Sequence, residues 1–263
     1  MKRLAGVPGR LLIAAAMLPL LAACAGGAPA QDQETVAAAV EAVSSAGAHI
    51  DVQSTIVDSG GSIPKGHADQ IKLHGVGTTR DGITSMHVTF AAAAGKTNPS
   101  FDIVLTDADI YAKQHGSNSP WHTEGVEVGN FLFVPARLPL LRETALLASK
   151  ETNGELSHID QGFVRKYAIT PAPDQLLQML ANSFGGTTTE FLKTASGHID
   201  FFLATNGRLL RIETHLVGIN PEDKGRRQID AVTLLSGGSA KPIEVPQNAQ
   251  PVTSGASLFT TGP

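Results

Sequence analysis

The chain has 263 residues, 42% of them hydrophobic, with 20 Lys and Arg against 24 Asp and Glu and a formal net charge of −4. That length allows one domain with a sizeable core, and the acidic balance without a long basic run argues against nucleic acid, or an electrostatic grip on anionic lipid heads, as its business. A single cysteine, Cys24, excludes a disulfide framework and leaves the rest of the chain without a thiol catalyst, which suits an oxidising, extracytoplasmic compartment.

Along the chain, Lys2, Arg3 and Arg10 form a positive start and Leu11 to Leu21 an apolar run of signal-peptide length, too short for a comfortable spanning helix. The run ends in Leu21-Ala22-Ala23-Cys24, which resembles the bacterial lipobox at all four positions. The product this implies begins at Cys24, acylated (by palmitate or a similar chain) on sulfur and on the new amine. Two or three acyl chains hold a protein to a membrane stably where one does not. The other reading is an ordinary signal peptide cleaved near Ala28-Pro29-Ala30, with Cys24 discarded. The domain plan is therefore a signal peptide over 1–23, a flexible tether over 24–33 and one domain over 34–263. After Cys24 the balance is 17 basic against 24 acidic residues, a net charge of −7.

Glu34 to Ser45 is Ala-rich with Val36, Val40 and Val43 at helical spacing, and Gly47 ends it. HIDVQSTIV places Ile50, Val52 and Ile56 on one face of a strand. QIKLHGVGTT and ITSMHVTF flank Asp81-Gly82, a strong hairpin signal. That turn sets Leu73 opposite Phe90, Gly75 opposite Val88 and Gly77 opposite Met86, and the two glycines leave room for a packing helix or a guest. FDIVL puts Phe101, Ile103 and Leu105 on one face, and DIYAK follows a tight turn. From Pro139 a helix is predicted with Leu140, Leu141, Ala145 and Ala148 inward. GELSHID and FVRKYAIT are strands. PDQLLQMLANSF is a helix opened by Pro173 or Asp174, with a stripe of Leu176, Leu177 and Leu180. TEFLKTA adds a turn or two. GHIDFFLA and RLLRIETHLV flank Asn206-Gly207, a second hairpin signal, which puts Ile199, Phe201, Leu203, Leu210 and Ile212 on its inward face. RQIDAVTLL is the last strand, and the Pro/Gly/Ser-rich tail from Ser236 runs extended over the surface.

Tight turns between successive strands predict an α+β fold: one strongly curved antiparallel half-barrel sheet of about ten strands, with helices packed on its concave face. This order resembles the LppX/LprA/LprF/LprG lipoprotein family, with its LolA/LolB-like fold. The stretches that carry the resemblance are LAAC, AHIDVQS, DIVLTDADIYAK leading to Trp121, the mid-chain helix, and HIDFFLATNGRLLRIETHLVG followed by IDAVTLL. The resemblance implies a curved sheet whose hollow receives acyl chains of lipids or glycolipids, for transport or presentation between membrane layers. It implies a lipid ligand, a monomer anchored outside the cytoplasm to the cell membrane (in the periplasmic space) by acylated Cys24, and a lipid exporter as a further partner. It implies neither an enzyme nor a cofactor. A sensor or interaction lipoprotein on the same fold, with a filled cavity, is the competing reading.

The lining expected for such a cavity is Val52, Leu73, Met86, Val88, Phe90, Phe101, Ile103, Leu105, Leu141, Leu177, Leu180, Ile199, Phe201, Leu203 and Ile212, residues that a plain hydrophobic core would use equally well. On the outward face of the second hairpin, His198 lies opposite His215 and Asp200 opposite Glu213. Such a set could hold zinc, but Arg211 stands diagonal to Asp200 and a polar outer face is ordinary for a one-sided sheet. No metal is expected there. The remaining histidines, 49, 67, 74, 87, 115, 122 and 158, are scattered, and no HExxH, G-x-S-x-G or P-loop occurs.

Overall fold

A computed structural model describes residues 28–91, 98–106, 108–125, 138, 141, 144, 154–180, 187–238 and 240–252, with the backbone alone for 28–34, 178–180 and 187–189. Cys24 and the apolar leader therefore lie outside the described residues, as do Leu140, Ala145 and Ala148. Helix α1 (Ala28–Ala46) is followed by β1 (Ala48–Ser59), β2 (Asp69–Arg80), β3 (Ile83–Phe90), β4 (Ser100–Leu105), β5 (Asp109–Gln114) and β6 (His122–Gly125). Then come β7 (Glu155–Ile159), β8 (Gly162–Ile169), α2 (Pro173–Leu180), α3 (Thr187–Leu192), β9 (Ser196–Ala204), β10 (Leu209–Ile219), β11 (Arg226–Gly237) and β12 (Gln250–Pro251). α1 starts six residues before the expected Glu34. It takes in most of the segment read as a tether, because Pro29 is tolerated in a first turn and Gln31, Asp32 and Gln33 carry the helix on.

The twelve strands form one open, curved sheet in the order β12-β6-β5-β4-β3-β2-β1-β11-β10-β9-β8-β7. The expected all-antiparallel sheet needs one correction. The extended tail adds β12 parallel to β6, Gln250 beside His122, so the sheet is mixed. Tight turns make antiparallel neighbours, but a tail that returns over a long loop is free to pair either way. β1 and β11 meet at the centre, where Arg227 grips both oxygens of Asp58 at 2.8 and 2.7 Å. Such bidentate pairs are among the strongest side-chain hydrogen bonds.

Both hairpin signals act, in different ways. Asp81 and Gly82 have φ of 52° and 78°, the left-handed pair that a two-residue type I′ turn demands. The expected register follows, with Leu73 on Phe90, Gly75 on Val88 and Gly77 on Met86. The room left by the glycine at 75 is taken by the facing strand: a Cβ there would lie 2.7 Å from Met86 Sδ and 3.3 Å from Val88 Cγ2. At Asn206-Gly207 the turn is one residue longer. Gly207 N–H donates to Ala204 O at 2.9 Å, and Ala204 N–H to Arg208 O at 2.8 Å. The register then shifts between Leu209 and Arg211. Leu209 therefore joins the main core while Leu210, expected inward, packs with Val164 and Phe202 in a second cluster. Beyond the shift the expected pairs return, Phe201 with Ile212 and His198 with His215.

One main core joins alternate residues of nearly every strand to the helices: Ile50, Val52, Met86, Ile103 and Phe201 from strands, Val36 and Val40 from α1, Leu138 and Leu141, Leu176 from α2, and Phe191 and Leu192 from α3. The side chains of all these helical pieces thus meet the same, apolar face of the sheet. Gln175 Oε1 accepts the N–H of Ala172 at 2.8 Å, half of a capping box ahead of α2. Gly218 on β10 makes way for α3, since a Cβ there would stand 2.8 Å from the Phe191 ring.

Candidate functional site

α1 stops at Ala46 because Gly47, at φ 83°, turns the chain left-handed and returns its N–H to Val43 O at 3.0 Å. The chain enters β1 at once. Beside this corner lie the end of β11 and the tip of the β9–β10 hairpin, and between them is a half-open cavity of about 550 Å³. Its walls are Ala39, Ala42, Val43, Ala46, Gly47 and Ala48 on one side and Leu209, Leu235, Gly237 and Gly238 on the other, with Asn206, Gly207, Arg208 and Ser236 at the hairpin tip and strand end. The small residues make the space: a helix of alanines cannot fill the gap to a glycine-rich strand end. Arg208 is exposed and lies across Gly237, where a Cβ would come within 2.8 Å of its Nη1. The walls are mostly apolar with a single cation, Arg208, and no acid, histidine or cysteine is among the residues that line them.

The lining expected from sequence lies elsewhere. Val52, Leu73, Met86, Val88, Phe101, Ile103, Leu105, Leu141, Ile199, Phe201, Leu203 and Ile212 sit inside the main core, none more than 3% exposed. Phe90 and Leu177 pack against its margin, Phe90 edge-on to Phe101 with ring centroids 6.0 Å apart. The side chain of Leu180 is outside the described residues. None of the fourteen described here lines the cavity beside α1. Sequence reasoning missed that cavity. The available signal was the small-residue run from Ala37 to Ala48, whose partners lie some 160 to 200 positions later.

The opposite, polar face carries the expected histidine patch. His198 and His215 face each other with ring centroids 5.4 Å apart. Each acid of the set has a cation as its closer partner. Asp200, 1% exposed, accepts from Lys166 Nζ at Oδ2 over 2.7 Å and has no hydrogen-bond partner for Oδ1. Glu213 pairs with Arg211. His215 takes Asp230, from β11, at 2.5 Å instead. His198 Nε2 lies 3.8 Å from Asp200 Oδ2, but Lys166, Arg211 and Asp230 take the closer contacts of Asp200, Glu213 and His215, so the four residues do not converge on one point. Farther along the same face, His87, Asp102 and His115 come together, a grouping not read from the sequence. Its signal was alternation: His87 precedes inward Val88, and Asp102 lies between inward Phe101 and Ile103.

No family model matches this sequence, and no curated protein does. Among solved structures the chain is similar to LprF from Mycobacterium bovis, at 15% identity and a TM-score of 0.42, over 85% of this chain and 100% of that one. It is also similar to a DUF1329 family protein from Desulfovibrio piger, at 9% identity and a TM-score of 0.31, over 81% of this chain and 95% of that one. LprF is one of the lipoproteins whose family the sequence resembles. Likenesses this distant establish no family for the chain. No described helix is long and apolar enough to cross a membrane.

Proposed function

We propose that this chain is a lipoprotein, held outside the cytoplasmic membrane by acylated Cys24, that takes acyl chains of a lipid or glycolipid into the cavity beside α1 for transport or presentation between membrane layers. In this reading the helices occupy the hollow of the curved sheet and leave one end of it unfilled. The observation that carries the reading is the cavity itself. Its volume of about 550 Å³ lies inside the range of roughly 300–1,000 Å³ usual for small-molecule sites. Its walls suit hydrocarbon, and each methylene moved from water into such a place contributes about 0.8 kcal/mol. α1, of 19 residues, is about 28 Å long, and the cavity lies beside its C-terminal half, the end farther from the anchor.

Replacing Ala42 or Ala46 by Trp tests it. Both side chains are exposed on α1 and line the cavity, so a large ring fills it without disturbing the main core. A fluorescent fatty-acyl lipid titrated into the protein should bind saturably. Either variant should lower that affinity at least about tenfold with an unchanged melting temperature, the loss of some 1.4 kcal/mol. Equal binding by wild type and both variants would remove the cavity from the account.

A second reading rests on a different observation. Val52, Met86, Val88, Ile103, Phe201 and Ile212 are closed within the core, so the interior of the sheet is already filled by the protein's own side chains. On this reading the lipoprotein acts through protein contacts, and it refuses added lipid.

A further inference from the structure

Strands β3 to β5 place two imidazoles and a carboxylate on one spot of the polar face. His87 and Asp102 are direct partners across β3 and β4. His115 follows the end of β5 and is fixed there by its backbone N–H, which donates to Ser100 O at 3.0 Å. His115 Nδ1 lies 2.7 Å and His87 Nδ1 3.5 Å from the same oxygen, Asp102 Oδ1. The two rings are 4.1 Å apart, tilted by 57°. One donor atom from each of the three residues lies within 4.8 Å of the others. All three side chains are between 30% and 52% exposed, so the spot is open to ions from solvent.

We propose that His87, Asp102 and His115 bind one divalent cation of the zinc class, with water completing its coordination. Two imidazole nitrogens and one carboxylate oxygen suit Zn²⁺, and its late first-row neighbours, better than Mg²⁺ or Ca²⁺, which prefer oxygen alone. Two adjacent strands and the residue just past the end of a third, itself held by a backbone hydrogen bond, carry the donors, so little ordering remains to be done when the ion arrives. Among the described residues no other histidine of this face has two further donors gathered this closely. His74 meets Asp51 alone at 3.1 Å, and Asp230, partner of His215, also accepts from Gln228 Nε2 at 2.6 Å.

One positive charge competes. Lys113 Nζ lies 3.9 Å from Asp102 Oδ2. It also sits 5.1 Å from the centroid of the Trp121 ring, which gives the ammonium a second seat when a dication takes the carboxylate. The cation site therefore strengthens when that lysine charge is removed.

Zinc chloride titrated calorimetrically into the tag-free, chelator-treated protein tests the assignment. The expected result is one zinc per chain, together with a zinc-dependent rise in melting temperature. H87A/H115A should lose at least about tenfold in affinity, no less than the usual cost of losing an outer-shell partner, and Lys113→Met should gain. H198A/H215A, altered at the other histidine patch, should bind as wild type. Absence of binding at millimolar zinc, full affinity in H87A/H115A, or loss confined to H198A/H215A would each overturn the proposal. Because these side chains are on the surface, the variants should keep the strand signal in circular dichroism. Should H87A/H115A fail to fold, Asp102→Asn and Co²⁺ absorption of the wild-type protein decide the matter: bands of nitrogen-and-oxygen ligation that weaken in the variant support the site, and bands unchanged by it, or no bands, overturn it.

Discussion

The backbone N–H of Asp81, in the β2–β3 turn, donates to the carbonyl of Ser44 in the last turn of α1 at 2.7 Å. The last carbonyls of a helix have no partner inside it. Here a strand turn supplies one, and Gly47 satisfies another. The C-terminal end of α1, which forms one wall of the cavity, is thus pinned from two sides.

Gly47→Ala should loosen that corner. The backbone is left-handed at φ 83°, which costs a side-chain-bearing residue about 1–2 kcal/mol. The new Cβ would also stand 3.0 Å from Ala240 Cβ and 3.2 Å from Thr79 O. Urea unfolding should show a loss at the upper end of that range, and an unchanged midpoint would contradict the strain.

The Lys166–Asp200 pair is unequal. Asp200 is 2% and Lys166 35% exposed by side chain. Removing the cation leaves a buried carboxylate whose remaining ion-pair neighbour is the His198 imidazole, 3.8 Å away. Lys166→Met should destabilise by about 2–3 kcal/mol, less than the ~3–5 of a fully buried pair because solvent already screens the lysine. The double variant with Asp200→Leu should recover most of the loss in a double-mutant cycle. Additive losses would show that the two do not act as a pair.

Asp223 ties two distant loops. Oδ1 accepts the N–H of Gly225 at 2.9 Å, and Oδ2 accepts the N–H and hydroxyl of Ser62 at 3.2 and 3.0 Å. The Gly225 amide foremost, then Ser62 and the charge of Arg227, hold this carboxyl below its ordinary value of 3.8. A lowered folded value means that the tie is complete above the ordinary aspartate range and is lost as pH falls through the lowered value. Amide resonances of Ser62 and Gly225 should shift together with a midpoint below 3.8. A midpoint at or above it, or independent titration of the two amides, would contradict the tie.

What was legible in the sequence was local. Asp81-Gly82 fixes a register because the turn needs two left-handed residues and only one pairing follows. Asn206-Gly207 misled by one residue near the turn, since a glycine in third place serves a three-residue loop equally well. Leu210 accordingly changed faces. Alternation identified the buried face, but it could not separate a wall from a core: Val52 and Ile103 look alike in both cases. The cavity depends on the meeting of α1 with a hairpin tip and a strand end far along the chain, and no short window records that. The His87–Asp102–His115 cluster needed the registers of two neighbouring strand pairs at once.

The central claim is that the space beside α1 holds lipid. Mass spectrometry of an organic extract tests it most directly, using protein expressed in a membrane-rich host and purified without detergent. The account predicts acyl lipid in stoichiometric amount, and its depletion in Ala42→Trp. A well-folded wild-type protein that carries no lipid, and takes up none when it is offered, would contradict it.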